Sequence, residues 1–422
     1  MILRVYPLTE PVDGEVTAPP SKSHTHRAVL AALLACGRSI IVNPLYSGDT
    51  EASIMAAEAF GALVKLWDGL LEVSGVCGEP QAPAKIGCGG SGTTLRLASA
   101  VASLANEAVL IYGDVTLTRR PMRPLLEALS LLGAKTVSRN GYPPVIIKGP
   151  IGSGEAFIDA GVSSQFVSAL LLIAPLAKIS VVTLGNPVSK PYIDVTLDVL
   201  EAFGARFARE GYSVFYPESS GYRGTKYEVP GDYSSASFIL ALGAIAGRVR
   251  VHGLRRGDTQ PDKAVTRALR DMGAKVRVGE DYVEVERGDP LEGAELDLRD
   301  SPDLAPALAA VAAHARGTTV MRGLRHLAFK ESNRLVSITE ALRSVGVWAR
   351  ASADSIIIKG GYVAGGRAWP HRDHRIAMML AVTASAAGAP IEIVGFERVR
   401  DSYPSFLEHL TSLGVRAEVL RA

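Results

Sequence analysis

A helix that runs directly into a glycine is encoded by Leu125-Leu126-Glu127-Ala128-Leu129-Ser130-Leu131-Leu132-Gly133-Ala134. Its leucines recur at the spacing of one helix face, and glycine is favoured in the left-handed position that follows many helices. The same pattern, an apolar helix and then an apolar residue, glycine and alanine or valine, returns about every 70 residues. Six units of this length account for the whole chain, and their glycines are Gly61, Gly133, Gly204, Gly273, Gly346 and Gly414.

Each repeat is predicted to combine two helices with four strands. Alternating apolar residues after three of the glycines predict β-hairpins over 63–73, 275–286 and 347–358. Another strand and helix precede each periodic helix, so the repeat has the order βαβαββ. The sequence therefore predicts an α/β protein of two similar lobes, each built from three βαβαββ repeats.

The chain is predicted to cross twice between the two lobes. The last repeat stops one strand short, at 415–420, and residues 2–6 supply a spare strand that could complete it. Proline and glycine mark the expected crossings near 17–21 and 228–232. We therefore expect a first lobe over 18–229 and a second lobe formed by 1–17 and 230–422.

The composition is that of a globular protein without a strong overall charge. Hydrophobic residues make up 47% and charged residues 21% of the 422 residues, which excludes a largely disordered chain. The 45 basic and 43 acidic side chains leave a net charge of only +2, so nothing favours nucleic acid as a partner. Three cysteines without a CxxC pair argue against a disulfide framework or a structural zinc site. We expect Cys36, Cys77 and Cys88 to be core or loop residues in a reducing cytoplasm.

The longest charge-free apolar stretch, 376–391, predicts a buried helix that runs into a strand. It is shorter than the about 20 residues that a membrane span needs, and glycine and proline interrupt it. The first residues lack the basic and then apolar order of a signal peptide. We therefore expect a cytoplasmic protein that does not enter a membrane.

Polar segments stand at the predicted helix starts, where a purely structural repeat would not need them. Pro19-Pro20-Ser21-Lys22-Ser23 opens a helix with a capping serine and a lysine at its positive end. Gly87-Cys88-Gly89-Gly90-Ser91-Gly92 lets a ligand approach the backbone closely, and 118–124 contains three arginines. Helix starts of this kind bind phosphate and carboxylate groups, although each segment alone also fits a solvated, capped helix. Similar starts occur at Ser163-Ser164-Gln165, Ser189-Lys190-Pro191-Tyr192 and Gly231-Asp232-Tyr233-Ser234-Ser235.

The second half of the chain supplies the titratable groups. Asp303 stands at a predicted helix start, where an acidic residue can be purely structural. Lys330 and Arg334 would share a face of a helix and repel each other unless an anion lay between them. Asp373-His374-Arg375 precedes the buried helix. Together these residues predict a site that combines acid–base groups with ligands for anions.

Taken in order, the motifs resemble the 5-enolpyruvylshikimate-3-phosphate synthase family over essentially the full length of the chain. Each motif alone is a modest signal, whereas the series in this order is highly specific. The resemblance implies an inside-out α/β barrel and an enolpyruvyl transferase of chorismate and aromatic amino-acid biosynthesis. The motifs are SKSHTHR at 21–27, GSGTT at 90–94, RRPMRPL at 119–125, SSQF at 163–166, SKPY at 189–192, GDYSSAS at 231–237, PD at 302–303, KESNRL at 330–335, DHRIAM at 373–378 and SYP at 402–404.

The reaction implied by the resemblance attaches the enolpyruvyl group of phosphoenolpyruvate to the 5-hydroxyl of shikimate 3-phosphate and releases phosphate through a tetrahedral intermediate. It implies no metal and no cofactor, and we expect a monomer. Asp303 is implied as the acceptor of the hydroxyl proton, Glu331 as the acid at the methylene carbon, and Lys330 and Lys22 as catalytic cations. The residues implied to bind shikimate 3-phosphate are Lys22, Ser23, Arg27, Ser163, Ser164, Gln165, Ser189, Asp303, His326 and Lys330. Those implied to bind phosphoenolpyruvate are Lys22, Gly92, Arg120, Gln165, Arg334 and Arg375.

Three positions depart from the family pattern. Gly90 stands where the glycine-rich loop commonly has asparagine, and His326 stands where an asparagine commonly contacts shikimate 3-phosphate. Asp401 occupies the place of a lysine that binds phosphoenolpyruvate. If this segment is a strand, the neighbouring Arg400 points the other way, so the affinity for phosphoenolpyruvate depends on other cations.

Three alternatives follow from the same fold. A UDP-N-acetylglucosamine enolpyruvyl transferase would carry a cysteine in the loop at 118–124, and none is present. A non-catalytic binding protein would not need Asp303, Lys330 and Glu331 together. An RNA-end-processing relative would need a basic surface, which the net charge of +2 does not favour.

Overall fold

The computed structural model describes residues 1–288 and 290–420, and its contacts divide the chain into two compact units. One unit comprises Met1–Pro19 and Pro230–Ala422, and the other comprises Pro20–Val229. The chain opens with two strands of the first of these units, β1 (Ile2–Val5) and β2 (Val12–Thr17).

The unit Pro20–Val229 contains three four-stranded sheets, with the strand orders β14-β3-β5-β4, β6-β7-β9-β8 and β10-β11-β13-β12. In each sheet the first two strands are parallel and the remaining pairs are antiparallel. Its elements are α1 (Lys22–Leu34), β3 (Arg38–Val42), α2 (Gly48–Ala59), β4 (Leu63–Trp67), β5 (Leu70–Ser74), β6 (Lys85–Gly87), α3 (Gly92–Ala102), β7 (Val109–Tyr112), α4 (Arg123–Leu131), β8 (Lys135–Arg139), β9 (Tyr142–Lys148), β10 (Gly154–Asp159), α5 (Ser164–Ala177), β11 (Ile179–Leu184), α6 (Pro191–Ala202), β12 (Phe207–Glu210), β13 (Val214–Pro217) and β14 (Lys226–Glu228).

The other unit repeats this arrangement, with the sheet orders β2-β15-β17-β16, β18-β19-β21-β20 and β22-β23-β1-β24. The strand β1 runs antiparallel to both β23 and β24, in the place that the incomplete last repeat leaves free. Its further elements are α7 (Tyr233–Ala246), β15 (Gly247–His252), α8 (Val265–Asp271), β16 (Lys275–Val278), β17 (Tyr282–Glu286), β18 (Glu295–Asp297), α9 (Ala305–His314), β19 (Thr318–Arg322), α10 (Arg334–Ser344), β20 (Trp348–Ala351), β21 (Ser355–Lys359), β22 (Gly366–Ala368), α11 (His374–Ala384), β23 (Ile391–Val394), α12 (Phe406–Ser412) and β24 (Ala417–Leu420).

The predicted fold class is confirmed, and the glycines explain why the repeats end where they do. All six repeat glycines have φ between 88° and 105°, a left-handed conformation that strains any residue with a side chain. Each follows the C-cap residue of a helix, so the chain can turn back into the next strand. The three predicted hairpins are present as β4–β5, β16–β17 and β20–β21.

Three helices in each unit are buried almost entirely, which is why their sequences are apolar on all sides. They are α1, α3 and α5 in one unit and α7, α9 and α11 in the other. The apolar stretch 376–391 forms most of α11 and then enters β23, as predicted. Because the bodies of these helices are covered, their first turns are the parts that can present polar groups to a ligand.

Two of the three cysteines are not simple core or loop residues. Cys36 and Cys77 form a disulfide over a sequence separation of 41, whereas Cys88 is free and buried. The backbone N–H groups of 76–78 donate hydrogen bonds to the carbonyls of 33–35 at the end of α1. This contact between distant segments brings the two cysteines together, and their spacing alone gave no sign of it.

Candidate active site

The first turn of α1 presents Lys22. Ser21 caps the helix by accepting a hydrogen bond from the backbone N–H of His24. The ammonium of Lys22 lies 2.7 Å from Oδ2 of Asp49, in the first turn of α2, and the two side chains are only 16% and 11% exposed. The role of Asp49 was not evident from the sequence, because an acid in the first turn of a capped helix is usually structural.

Arg27 lies one turn further along α1 and is almost fully buried. Its guanidinium donates hydrogen bonds to the Ser23 carbonyl at 2.9 Å, to Thr196 Oγ1 at 2.7 Å and to Ser168 Oγ at 3.2 Å. Burial lowers the pKa of Arg27 to about 10, so the side chain stays charged near neutral pH. Arg27 therefore joins α1 to α5 and α6 and places a positive charge beside Ser23.

Gly92 and Arg120, both predicted for phosphoenolpyruvate, lie together. A Cβ atom on Gly92 would come within 2.3 Å of the Arg120 guanidinium, so a side chain at this first residue of α3 would displace Arg120. The carbonyl oxygen of the Gln165 side chain accepts a hydrogen bond from Arg96 at 2.5 Å, and its amide nitrogen donates to Thr93 at 3.0 Å. Arg96 lies two residues after the GSGTT motif, and its role was not evident from the sequence.

The serines predicted to bind phosphate stand at the starts of α5 and α6. Ser163 caps α5 by accepting a hydrogen bond from the backbone N–H of Gln165 at 3.3 Å, and Ser164 is buried in the first turn. Ser189 is buried before α6 and has φ of 53°. A non-glycine residue in this conformation is strained, and such strain concentrates at functional sites.

A single guanidinium organises the polar residues of the other unit. Arg334, which is 1% exposed, lies 2.8 Å from Asp303, 2.6 Å from Glu331 and 2.7 Å from Asp373. Asp373 also caps α11 by accepting a hydrogen bond from the backbone N–H of Arg375. Arg334 therefore binds three carboxylates, and it holds two of them, the predicted acid–base residues Asp303 and Glu331, in fixed positions.

Asp303 is held by cations and does not cap a helix. Its carboxylate lies 3.1 Å from Lys330 and 3.8 Å from Arg375, in addition to Arg334. Burial alone would raise the pKa of the Asp303 carboxyl, but the charges of Lys330, Arg375 and Arg334 outweigh burial and hold that pKa far below its usual range. Asp303 is therefore ionised, and in this arrangement it is a weak base.

The prediction that Lys330 and Arg334 share one face of a helix is wrong. Lys330 follows a 3₁₀ helix, Arg325–Phe329, and α10 begins only at Arg334. The two cations nevertheless approach a common anion, which is the carboxylate of Asp303 itself. The sequence indicated that an anion would lie between the two cations, and this anion is a carboxylate of the chain. The backbone at Lys330, however, is not the helix that the spacing of four residues predicted.

His326 lies in the same 3₁₀ helix and is 7% exposed. Burial, followed by the charge of Lys330, lowers its pKa to about 4. The imidazole is therefore neutral near pH 7 and can donate one hydrogen bond.

The segment around Asp401 is also not the strand that was expected. Phe396–Asp401 is a 3₁₀ helix, and the Asp401 carboxylate lies 3.3 Å from the Arg398 guanidinium, with both side chains about one-third exposed.

Gly90 stands where the family commonly has asparagine, and a Cβ on Gly90 would lie 3.4 Å from Asp114 Oδ2. That is an ordinary contact distance, so Gly90 is not required by crowding.

Residues 1–288 and 290–420 contain neither a candidate metal centre nor a candidate membrane span. In this part of the chain, no three or more His, Cys, Asp or Glu side chains are grouped so that they could hold a metal ion. Within the same residues, no helix has both the length and the apolar character needed to cross a membrane.

The fold and these residues define a repeated α/β protein whose buried helices begin with hydroxyl groups, cations and backbone N–H groups. The family model of EPSP synthase (3-phosphoshikimate 1-carboxyvinyltransferase) matches residues 8–410. The chain therefore belongs to the EPSP synthase family, and its predicted identity as an enolpyruvyl transferase is confirmed.

Similar proteins carry the same name. The 3-phosphoshikimate 1-carboxyvinyltransferase of Aeropyrum pernix is 47% identical over 99% of this chain and 96% of its own length. That of Thermococcus kodakarensis is 46% identical over 98% of this chain and its whole length. The solved structure of EPSP synthase from Acinetobacter baumannii matches with a TM-score of 0.83 at 29% identity and covers both chains completely. These names favour the shikimate enzyme over the three alternatives.

Proposed function

We propose that the chain transfers the enolpyruvyl group of phosphoenolpyruvate to the 5-hydroxyl of shikimate 3-phosphate. The observation that carries the proposal is the cluster of Asp303, Lys330, Glu331 and Arg334, which brings acid–base groups and anion ligands together. Both substrates carry phosphate and carboxylate groups. Buried cations and helix N-termini are the partners that such groups need.

The residues proposed to bind the two substrates form two overlapping sets. Lys22 contacts both substrates. The further ligands of shikimate 3-phosphate are Ser23, Arg27, Ser163, Ser164, Gln165, Ser189, Asp303, His326 and Lys330. The further ligands of phosphoenolpyruvate are Gly92, Arg120, Gln165, Arg334 and Arg375.

Asp303 accepts the proton of the 5-hydroxyl as the oxygen adds to C2 of phosphoenolpyruvate. With three cations around it, its depressed pKa makes it a weak base before substrate binds. The substrate anions neutralise part of the charge on Lys330, Arg334 and Arg375, and the pKa of Asp303 then rises. The base is therefore strengthened only when both substrates are in place.

Glu331, in its carboxylic acid form, donates a proton to C3 in the addition step and takes one back in the elimination step, so it ends the reaction in the form in which it began. Arg334 holds the Glu331 carboxylate at 2.6 Å and so fixes its direction. Lys330 stabilises negative charge that develops on the 5-oxygen. The tetrahedral intermediate then releases phosphate, and the proton held by Asp303 leaves with it.

Carbon labelling distinguishes transfer from simple hydrolysis. With phosphoenolpyruvate labelled with ¹³C at C2, we expect the label to appear in an enol ether attached to shikimate 3-phosphate. Release of labelled pyruvate with shikimate 3-phosphate left unchanged would contradict the proposal.

The enzyme is proposed to act as a cytoplasmic monomer. Among the described residues, every one of the six sheets is completed by strands of the same chain, so no second copy has to supply a strand. Light scattering at micromolar concentration should give the mass of one chain, and fractionation of the source cells should place the protein with the cytoplasmic enzymes. A dimer mass or a membrane fraction would contradict these two assignments.

A further inference from the structure

Helix α1 carries two adjacent buried polar residues, His26 and Arg27, that bind different neighbours. His26 Nδ1 lies 2.8 Å from Ser53 Oγ on α2. Arg27 instead donates to Ser168 on α5 and to Thr196 on α6. One helix is therefore fixed by two separate buried networks.

The network of His26 joins the helices α1 and α2 to the start of α3. Ser53 Oγ lies 2.8 Å from Thr94 Oγ1, and Thr94 donates to Ser91 Oγ, also at 2.8 Å. Ser91 is the cap of α3, directly before Gly92. Thr94 also reaches the carbonyl of Asp49 at 3.4 Å, the residue whose carboxylate holds Lys22.

The ring of His26 is suited to a fixed structural contact. Burial, followed by the charges of Lys22 and Arg27, lowers its pKa well below the usual histidine value, so it is neutral at working pH. Within the described part of the chain its Nε2 atom has no hydrogen-bond partner. The contact with Ser53 is therefore what orients the ring.

The network of Arg27 joins a different set of helices, namely α1, α5 and α6. Ser168 Oγ lies 2.7 Å from Thr196 Oγ1, and Thr196 donates to the carbonyl of Tyr192 in the first turn of α6. Arg27 also holds the carbonyl of Ser23. These contacts join α1 to α5, one helical turn beyond Ser164, and to the first turn of α6, where the backbone N–H of Tyr192 donates to the carbonyl of Ser189.

We propose that the network of His26, Ser53 and Thr94 positions the ligands of phosphoenolpyruvate, and that the network of Arg27, Ser168 and Thr196 positions those of shikimate 3-phosphate. The inference rests on the proposed function, because it uses the assignment of Gly92 to one substrate and of Ser23, Ser164 and Ser189 to the other. Ser53 and Ser168 are positioning residues, since each acts through its neighbours.

The two fully buried serines form a matched pair for the test. Ser53→Ala should raise the KM for phosphoenolpyruvate about fivefold, the effect expected for one buried hydrogen bond, and should change the KM for shikimate 3-phosphate less than twofold. Ser168→Ala should do the reverse. The kcat of both variants should remain close to that of the unchanged enzyme.

Two variants of His26 provide the rescue test. His26→Asn keeps a polar atom near the position of Nδ1 and should retain most of the affinity for phosphoenolpyruvate. His26→Leu removes it and should reproduce the effect of Ser53→Ala, without a further increase when the two changes are combined.

The outcomes separate this inference from the proposed function. If the unchanged enzyme forms product but both serine variants raise both KM values equally, or change only the melting temperature, the division into two networks is wrong. If the unchanged enzyme forms no product, the proposed function itself fails.

Discussion

Arg334 Nη1 lies 2.8 Å from Asp303 Oδ1, and the arginine is almost wholly buried while the aspartate is 15% exposed. A buried guanidinium is costly unless it is paired, and Arg334 is also paired with Glu331 and Asp373, so Asp303 supplies only part of its neutralisation. The same carboxylate is the proposed proton acceptor. The substrate anions must therefore take over part of this neutralisation before Asp303 can act as a base.

Replacing Asp303 by asparagine tests its role in proton transfer. Asp303→Asn keeps the size of the side chain but removes the base, so we expect kcat to fall by about 10² or more, with binding of shikimate 3-phosphate largely retained. The same change at the exposed Asp297 should leave kcat unaltered. Normal turnover by Asp303→Asn would reduce Asp303 to a structural partner of Arg334.

Replacing Asp401 by lysine should increase the affinity for phosphoenolpyruvate. Asp401→Lys replaces a negative by a positive charge where the family has a lysine, so the KM for phosphoenolpyruvate should fall roughly fivefold in a partly solvated site. The KM for shikimate 3-phosphate should not change. Glu397→Lys, the same charge change in the same 3₁₀ helix, is the control and should leave both constants unaltered. An increased KM for phosphoenolpyruvate would show that the pair Asp401–Arg398 already orders the site.

Acid should destabilise the protein partly through His326. The unfolded imidazole has a pKa near 6.5 and the folded one about 4, so the unfolded state binds the proton more readily and stability falls as the pH falls from about 6.5 towards 4. Between pH 7 and pH 5 this costs about 2 kcal/mol. Urea unfolding at pH 7 and pH 5 measures the free energy of unfolding. Between these pH values, the loss of that free energy should be smaller by this amount in His326→Asn than in the unchanged protein. An equal loss in both proteins would mean that His326 does not contribute.

The disulfide should stabilise the unit that carries Lys22. For a sequence separation of 41, reduction should lower the free energy of unfolding by up to about 4 kcal/mol. Chemical unfolding with and without reductant measures this. Cys88→Ala should remain sensitive to reductant, whereas the double variant Cys36→Ser, Cys77→Ser should be insensitive. A reductant effect that persists in the double variant would contradict the assignment.

Features that are local in sequence were predictable, and those that depend on distant packing were not. The glycines at the helix ends, such as Gly133, follow from the conformation of a single residue. The pairing of Cys36 with Cys77 depends on a contact between the end of α1 and the segment after β5. The backbone at Lys330 and at Asp401 is 3₁₀ or irregular, and short apolar patterns do not distinguish such turns from helix or strand.

The candidate site shows the same division. Glu331 and Arg334 were found because charged groups cluster in one short motif, whereas the role of Asp303 came from the resemblance of its motif to the family. Arg96 and Asp49 were missed because their importance lies in the side chains that they hold, Gln165 and Lys22. Such partners are separated by tens of residues, and only the fold brings them together.

Phosphate release, measured with each substrate present alone and with both together, tests the central claim most directly. The account predicts release only when phosphoenolpyruvate and shikimate 3-phosphate are both present, with one phosphate formed for each shikimate 3-phosphate consumed. Release from phosphoenolpyruvate alone at the same rate, or no release with both, would contradict it.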